Sequence, residues 1–125
     1  MSILKVNTLE EATVGGATFY TTKAWVNFNG TGTVAIRGDG GVSSITDIAT
    51  GTYGANLSPV MASANYAVSG MAESYNSVDS IRIITGADGD QNTSSVLRIR
   101  TVGLNGSGAH NDGADSDYVC SVAHI

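Results

Sequence analysis

The stretch KAWVNFNGTGTVAIR, residues 23–37, decides the fold. Ala24, Val26 and Phe28 alternate with Trp25 and Asn27, a period of two that places the first three on one face of an extended strand. Asn29-Gly30-Thr31-Gly32 then supplies positions that tolerate positive φ, and Thr33 to Arg37 resumes the extended pattern. Strand, turn and strand in so short a span predict a β-hairpin.

Further along, the same period recurs in brief runs separated by turn residues. Gly38-Asp39-Gly40-Gly41 reads as a second turn cluster, and Val42 to Ile48 as the next strand. Val42 and Ile45 break strict alternation there, which a bulge near Ser43 and Ser44 repairs. Thr52 to Leu57 puts Tyr53, Ala55 and Leu57 on one face. Pro59 demotes Ser58 to Ser63 to a turn, and Asn65 to Met71 returns to strand with Tyr66 and Val68 on one side. Ser80 to Thr85 and Ser94 to Val102 are β-forming, with Leu97 and Ile99 as core and Arg98 and Arg100 on the opposite face. Between them, residues 86–92 form a loop. Gly103 to Asp117 is almost all Gly, Asn, Ser, Ala and Asp, which predicts a long exposed loop, and Tyr118 to Ile125 closes the chain as a strand pinned into a sheet.

About eight strands and almost no helix signal predict an all-β fold, an antiparallel two-layer sandwich of jelly-roll type. Residues 1–22 stand apart as a short N-terminal arm, with Ile3, Val6 and Leu9 hinting at one amphipathic turn and Gly15-Gly16 as a hinge. Residues 23–125 form the sandwich domain. The length, 125 residues, suits one domain.

Composition narrows the function. Only 14% of residues are charged, against an average near ~25%, while hydrophobic residues reach 42% and glycines number 16. A net charge of −5 repels nucleic acid and anionic lipid. The uncharged run from Ile48 to Ala72 is too rich in Thr, Gly, Asn and Ser for a membrane span. MSILKVNTLEE, residues 1–11, lacks the basic start and long apolar core of a secretion signal, and the single Cys120 cannot form an internal disulfide. The expected place of folding is a reducing cytoplasm.

Enzymatic readings fare poorly. His110 and His124 are the only imidazoles, and Cys120 and His124 fall on one strand face roughly 13 Å apart by strand rise, too far for a hydrogen bond. Cys120 reads as a buried small hydrophobe. Asp88-Gly89-Asp90-Gln91-Asn92 spaces oxygen ligands like the start of a calcium loop, but Thr93 and Ile99 stand where a glycine and a bidentate carboxylate are required. A looser calcium set would use Asp112, Asp115 and Asp117, which read more simply as turn formers. No metal and no cofactor are expected. The glycines of residues 103–108 open no helix and so give an anion no dipole. Glycan recognition is more permissive: aromatic faces and hydroxyl-bonding side chains are available at Trp25, Tyr53, Tyr75, Asn76, Asn105, Asn111 and Asp112, although a core or subunit-interface role suits Trp25 better.

Residues 23–37 resemble a segment of tail-fibre and related virion proteins of tailed bacteriophages, especially phages of marine bacteria. VSSITD (42–47), GTY (51–53), ANYAVSG (64–70) and ILKVNT (3–8) resemble segments of the same group, in the same order for the first three. The chain departs from the group's pattern at residues 38–41 and 54–57, and beyond Met71 the likeness fades. This resemblance implies a non-enzymatic homotrimeric appendage of the virion, assembled in the host cytoplasm. It implies attachment to other virion proteins through Ile3, Leu4, Val6 and Leu9. Contact with a host glycan or outer-membrane protein is expected through Tyr75, Asn76, Asn105, His110, Asn111 and Asp112. The alternative expectation is a capsid decoration or head-fibre protein with a purely structural role. A glycan depolymerase is disfavoured, since that chemistry normally takes paired carboxylates in a groove.

Overall fold

The computed structural model describes residues 2–5, 22–73, 83–85, 91–103 and 113–124. Among these, the secondary structure is entirely β. Eight strands follow in order: β1 (Thr22–Asn29), β2 (Ala35–Gly40), β3 (Val42–Ala49), β4 (Thr52–Leu57), β5 (Ala67–Glu73), β6 (Ile83–Thr85), β7 (Val96–Val102) and β8 (Tyr118–His124). They form two four-stranded antiparallel sheets, β2-β1-β8-β5 and β3-β4-β7-β6. The expected two-layer sandwich is therefore present. Its strand order is not that of a jelly roll: β1–β2, β3–β4 and β6–β7 pair as sequence neighbours within one sheet, and β1 pairs with β8.

The inner faces come from period two. Ala24, Val26 and Phe28 of β1 face Tyr53, Ala55 and Leu57 of β4, with Leu97 and Ile99 of β7 and Val119 and Ala123 of β8 completing the core. Phe28 and Tyr53 meet edge to face at 5.1 Å across the two layers, a geometry worth about 0.5–1.5 kcal/mol beyond the area it buries. A register shift between Val42 and Ser44 is the bulge that the broken alternation of β3 requires.

Four further expectations need correcting. The cluster Gly38-Asp39-Gly40-Gly41 is strand as far as Gly40, and only Gly41, at φ 71°, turns the chain into β3. The reason is Trp25: its indole lies across Gly38 and Gly40 on the outside of the sheet, and a Cβ on Gly40 would collide with the indole nitrogen. These glycines make room for an aromatic ring that spans the hairpin. Tyr66 precedes its strand and does not belong to it; it is 8% exposed, and its hydroxyl lies 3.1 Å from the carbonyl oxygens of both Thr93 and Val96. Cys120 is half-buried on the outward side of β8, because Val119 and Ser121 take the inward positions.

The fourth correction concerns the loop from Gly103 to Asp117. Its last stretch, Gly113–Asp117, is bound into the end of the sandwich, with Ser116 fully buried. Residues 104–112 lie outside the described residues.

Candidate functional site

Tyr75, Asn76, Asn105, His110, Asn111 and Asp112, the expected host-contacting residues, lie outside the described residues, as do Val6 and Leu9 of the arm. Ile3 and Leu4 are described and are 72% and 86% exposed. Two apolar side chains so open to water have unused burial energy, on the order of 1.5–3 kcal/mol each if a partner covered them.

A broader surface lies on the outside of the β2-β1-β8-β5 sheet. Because Val119, Ser121 and Ala123 point inward, Tyr118, Cys120, Val122 and His124 of β8 point outward. The register pairs Ser69 with Val122 and Met71 with Cys120 on the neighbouring edge strand, and Trp25 with Val122 on the other side. The result is an open trough of about 610 Å³ between β5 and β8, lined chiefly by Ser69, Met71, Glu73, Tyr118, Cys120 and Val122. Met71 is 78% exposed, Tyr118 47% and Trp25 45%. Along one end, the Arg37 guanidinium sits 4.2 Å from the centre of the Tyr118 ring while donating a hydrogen bond to the Asp117 carbonyl. This face is apolar along its middle, and its charged groups, Arg37 and Glu73, gather at the Tyr118 end. Trp25, left open in the sequence between core and interface, belongs to it.

At the end of the sandwich where β1 gives way to the turn toward β2, a second cluster forms around Tyr53. Its ring is fully buried, so it offers no face to a sugar, contrary to its place among the candidate glycan residues. Its hydroxyl lies 2.9 Å from the Gly30 carbonyl and 3.0 Å from the Asp115 carboxylate. The same carboxylate oxygen accepts the Gly51 N–H at 2.7 Å. Burial first, then the hydrogen bond and negative charge of Asp115, and the charge of Asp47, hold the Tyr53 phenol well above its usual range. Burial raises Tyr66 as well.

Asp117, considered with Asp115 as a loose calcium ligand, accepts the Thr31 hydroxyl at 3.0 Å. Both carboxylates are thus engaged in closing the fold. No group of three or more His, Cys, Asp or Glu side chains positioned to hold a metal ion occurs among the described residues.

Sequence reasoning missed the cluster because its members, Gly30, Gly51, Tyr53, Thr101 and Asp115, are scattered along the chain. The outer face had one legible signal, the alternation of β8. No protein-family model, curated protein or solved structure matches the chain.

Proposed function

We propose that the chain is a non-enzymatic structural protein of a bacteriophage virion, a short homotrimeric tail fibre or fibre tip that attaches the particle to its host. The observation that carries this reading is the outer face of the β2-β1-β8-β5 sheet. Met71, Trp25 and Tyr118 are exposed there on a face with few charges, the kind of surface that packs against another protein without stranding ions. Exposed Ile3 and Leu4 suit an arm that docks on a neighbouring virion component. The phage assignment itself comes from the likeness of residues 23–37 and the shorter segments after it.

A charge-poor face supports copies packing together, and a trimer multiplies many weak host contacts without any deep pocket. Native mass measurement should give three times 12.7 kDa, and purified protein should block adsorption of the phage. A stable monomer at micromolar concentration would overturn the assembly. Protein that binds around the capsid lattice and leaves adsorption untouched would move the assignment to a capsid decoration or head fibre, and shortening of host polysaccharide would make it an enzyme.

A further inference from the structure

The turn after β1 reads Asn29-Gly30-Thr31-Gly32, and neighbouring groups impose its first pair. Gly30 is buried, and a Cβ there would collide with the Tyr53 hydroxyl, so only glycine fits beside that ring. Asn29 closes the turn. Its side-chain oxygen accepts the Thr31 N–H at 3.2 Å and the Thr31 hydroxyl at 2.8 Å, and its amide donates to the Thr31 carbonyl at 2.8 Å.

Asparagine followed by glycine is also a chemically labile pair, because no Cβ shields the next main-chain nitrogen from the asparagine side chain. That nitrogen attacks the side-chain carbon: the N–Cγ bond forms, the nitrogen gives up its proton, and the Cγ–Nδ2 bond breaks with ammonia leaving. Water then opens the five-membered imide to aspartate or, with a lengthened backbone, to isoaspartate. The fold obstructs each step. Gly30 donates its N–H to the Ser116 carbonyl at 2.9 Å, which holds the proton that the attack must release. The Asn29 amide must break its bonds to Thr31 before it can turn onto Gly30, and burial of Gly30 keeps solvent base from the nitrogen.

We propose that Asn29 is a latent self-modification site, silenced by Ala114–Asp117 and converted to aspartate or isoaspartate when this end of the sandwich opens. Ser116 stays over Gly30 because its neighbours are tied down: Ala114 donates its N–H to the Thr101 carbonyl, and the Asp115 carboxylate accepts from Tyr53 and Gly51. Conversion then prevents reclosure. An aspartate at position 29 sets an oxygen against the Thr31 carbonyl where an amide now donates, and adds negative charge beside Asp117, which shares the Thr31 hydroxyl. Isoaspartate inserts a backbone atom where Asn29 pairs with Ala35. The same turn that Tyr53 forces to carry glycine therefore keeps a one-way chemical record of opening, whatever the chain attaches to.

The test incubates the full chain in mildly alkaline buffer, folded and in urea, and follows the tryptic peptide of residues 24–37. Cleavage at Lys23 and Arg37 separates it from the other Asn-Gly pair, Asn105-Gly106. Deamidation at residue 29 should be slower in the folded chain by on the order of tenfold or more, because only the open fraction reacts. Asp115→Ala combined with Thr101→Val, shown to be folded by circular dichroism, should lose most of that protection. Should that variant not fold, Thr31→Ala replaces it; it removes one hold on the Asn29 side chain and should react faster than the parent. Asn29→Asp, standing for the product, should melt about 3 °C or more below the parent. Equal rates in the folded chain and in urea would overturn the silencing, as would parental protection in the loosened variant. An Asn29→Asp chain as stable as the parent would overturn the block on reclosure.

Discussion

Trp25 lies across Gly40, its register partner on β2, so closely that a single added carbon on Gly40 would strike the indole nitrogen. The pair explains why a run of glycines is strand and not turn. A glycine gives up side-chain packing in a strand, and the indole covers the backbone that the missing side chain leaves bare.

Gly40→Val should accordingly displace the indole and destabilise the chain by about 1–3 kcal/mol, the usual range for overpacking. Tryptophan fluorescence reports the displacement directly, since Trp25 is the only Trp. Adding Trp25→Ala to Gly40→Val should cost less than the sum of the two single changes. Strict additivity in that double-mutant cycle would show that the two residues do not interact.

Tyr53→Phe keeps the ring packed against Phe28 and removes only the hydroxyl between Gly30 and Asp115. We expect a loss of about 1–3 kcal/mol in denaturant unfolding, because the buried Gly30 carbonyl loses its donor. Asp115→Asn keeps an acceptor at this position and should be milder than Asp115→Ala.

Stability should hold through neutral pH and fall in alkali. The Tyr53 phenol titrates higher in the folded chain than in the unfolded one, so the folded state favours the protonated form. That contribution is complete below the unfolded pKa of ~10 and is lost as pH rises above it toward the folded value. Tyr66 adds to the same slope. Comparing unfolding midpoints at pH 8 and pH 11 checks the sign, and Tyr53→Phe should flatten the difference. Equal slopes in parent and variant would contradict it.

Met71→Lys changes a side chain that is 78% exposed. Its effect on the melting temperature of the isolated subunit should be small, within about 0.5 kcal/mol of stability. The proposed assembly should suffer: a lysine in the trough between β5 and β8 would bring a charge into any apolar contact made there. If the proposed trimer forms through this face, native mass measurement should show the parent as trimer and the variant as monomer, and equal trimer populations in both would place this trough outside the subunit contact.

Much of the fold was legible because half-buried antiparallel strands write their packing into the chain. Tyr53, Ala55 and Leu57, then Leu97 and Ile99, occupy alternate positions and all face the core. The bulge after Val42 was equally visible, since one residue out of phase must be absorbed somewhere. The outward turn of Cys120 could have been read from the same rule. Its small apolar character argued for burial, but Val119 and Ser121 take the inward positions.

Sequence by itself determined the period and hence a charge-poor β-sandwich, because a strand's alternation is local and survives in one dimension. Only the tertiary structure decided that Gly38 and Gly40 lie under Trp25, and that Gly113–Asp117 close the sandwich. It alone brought Asp115 to Tyr53, 62 positions away. Such contacts join residues whose spacing carries no signature, and they exist only once both sheets are formed and a buried hydroxyl must find its partners.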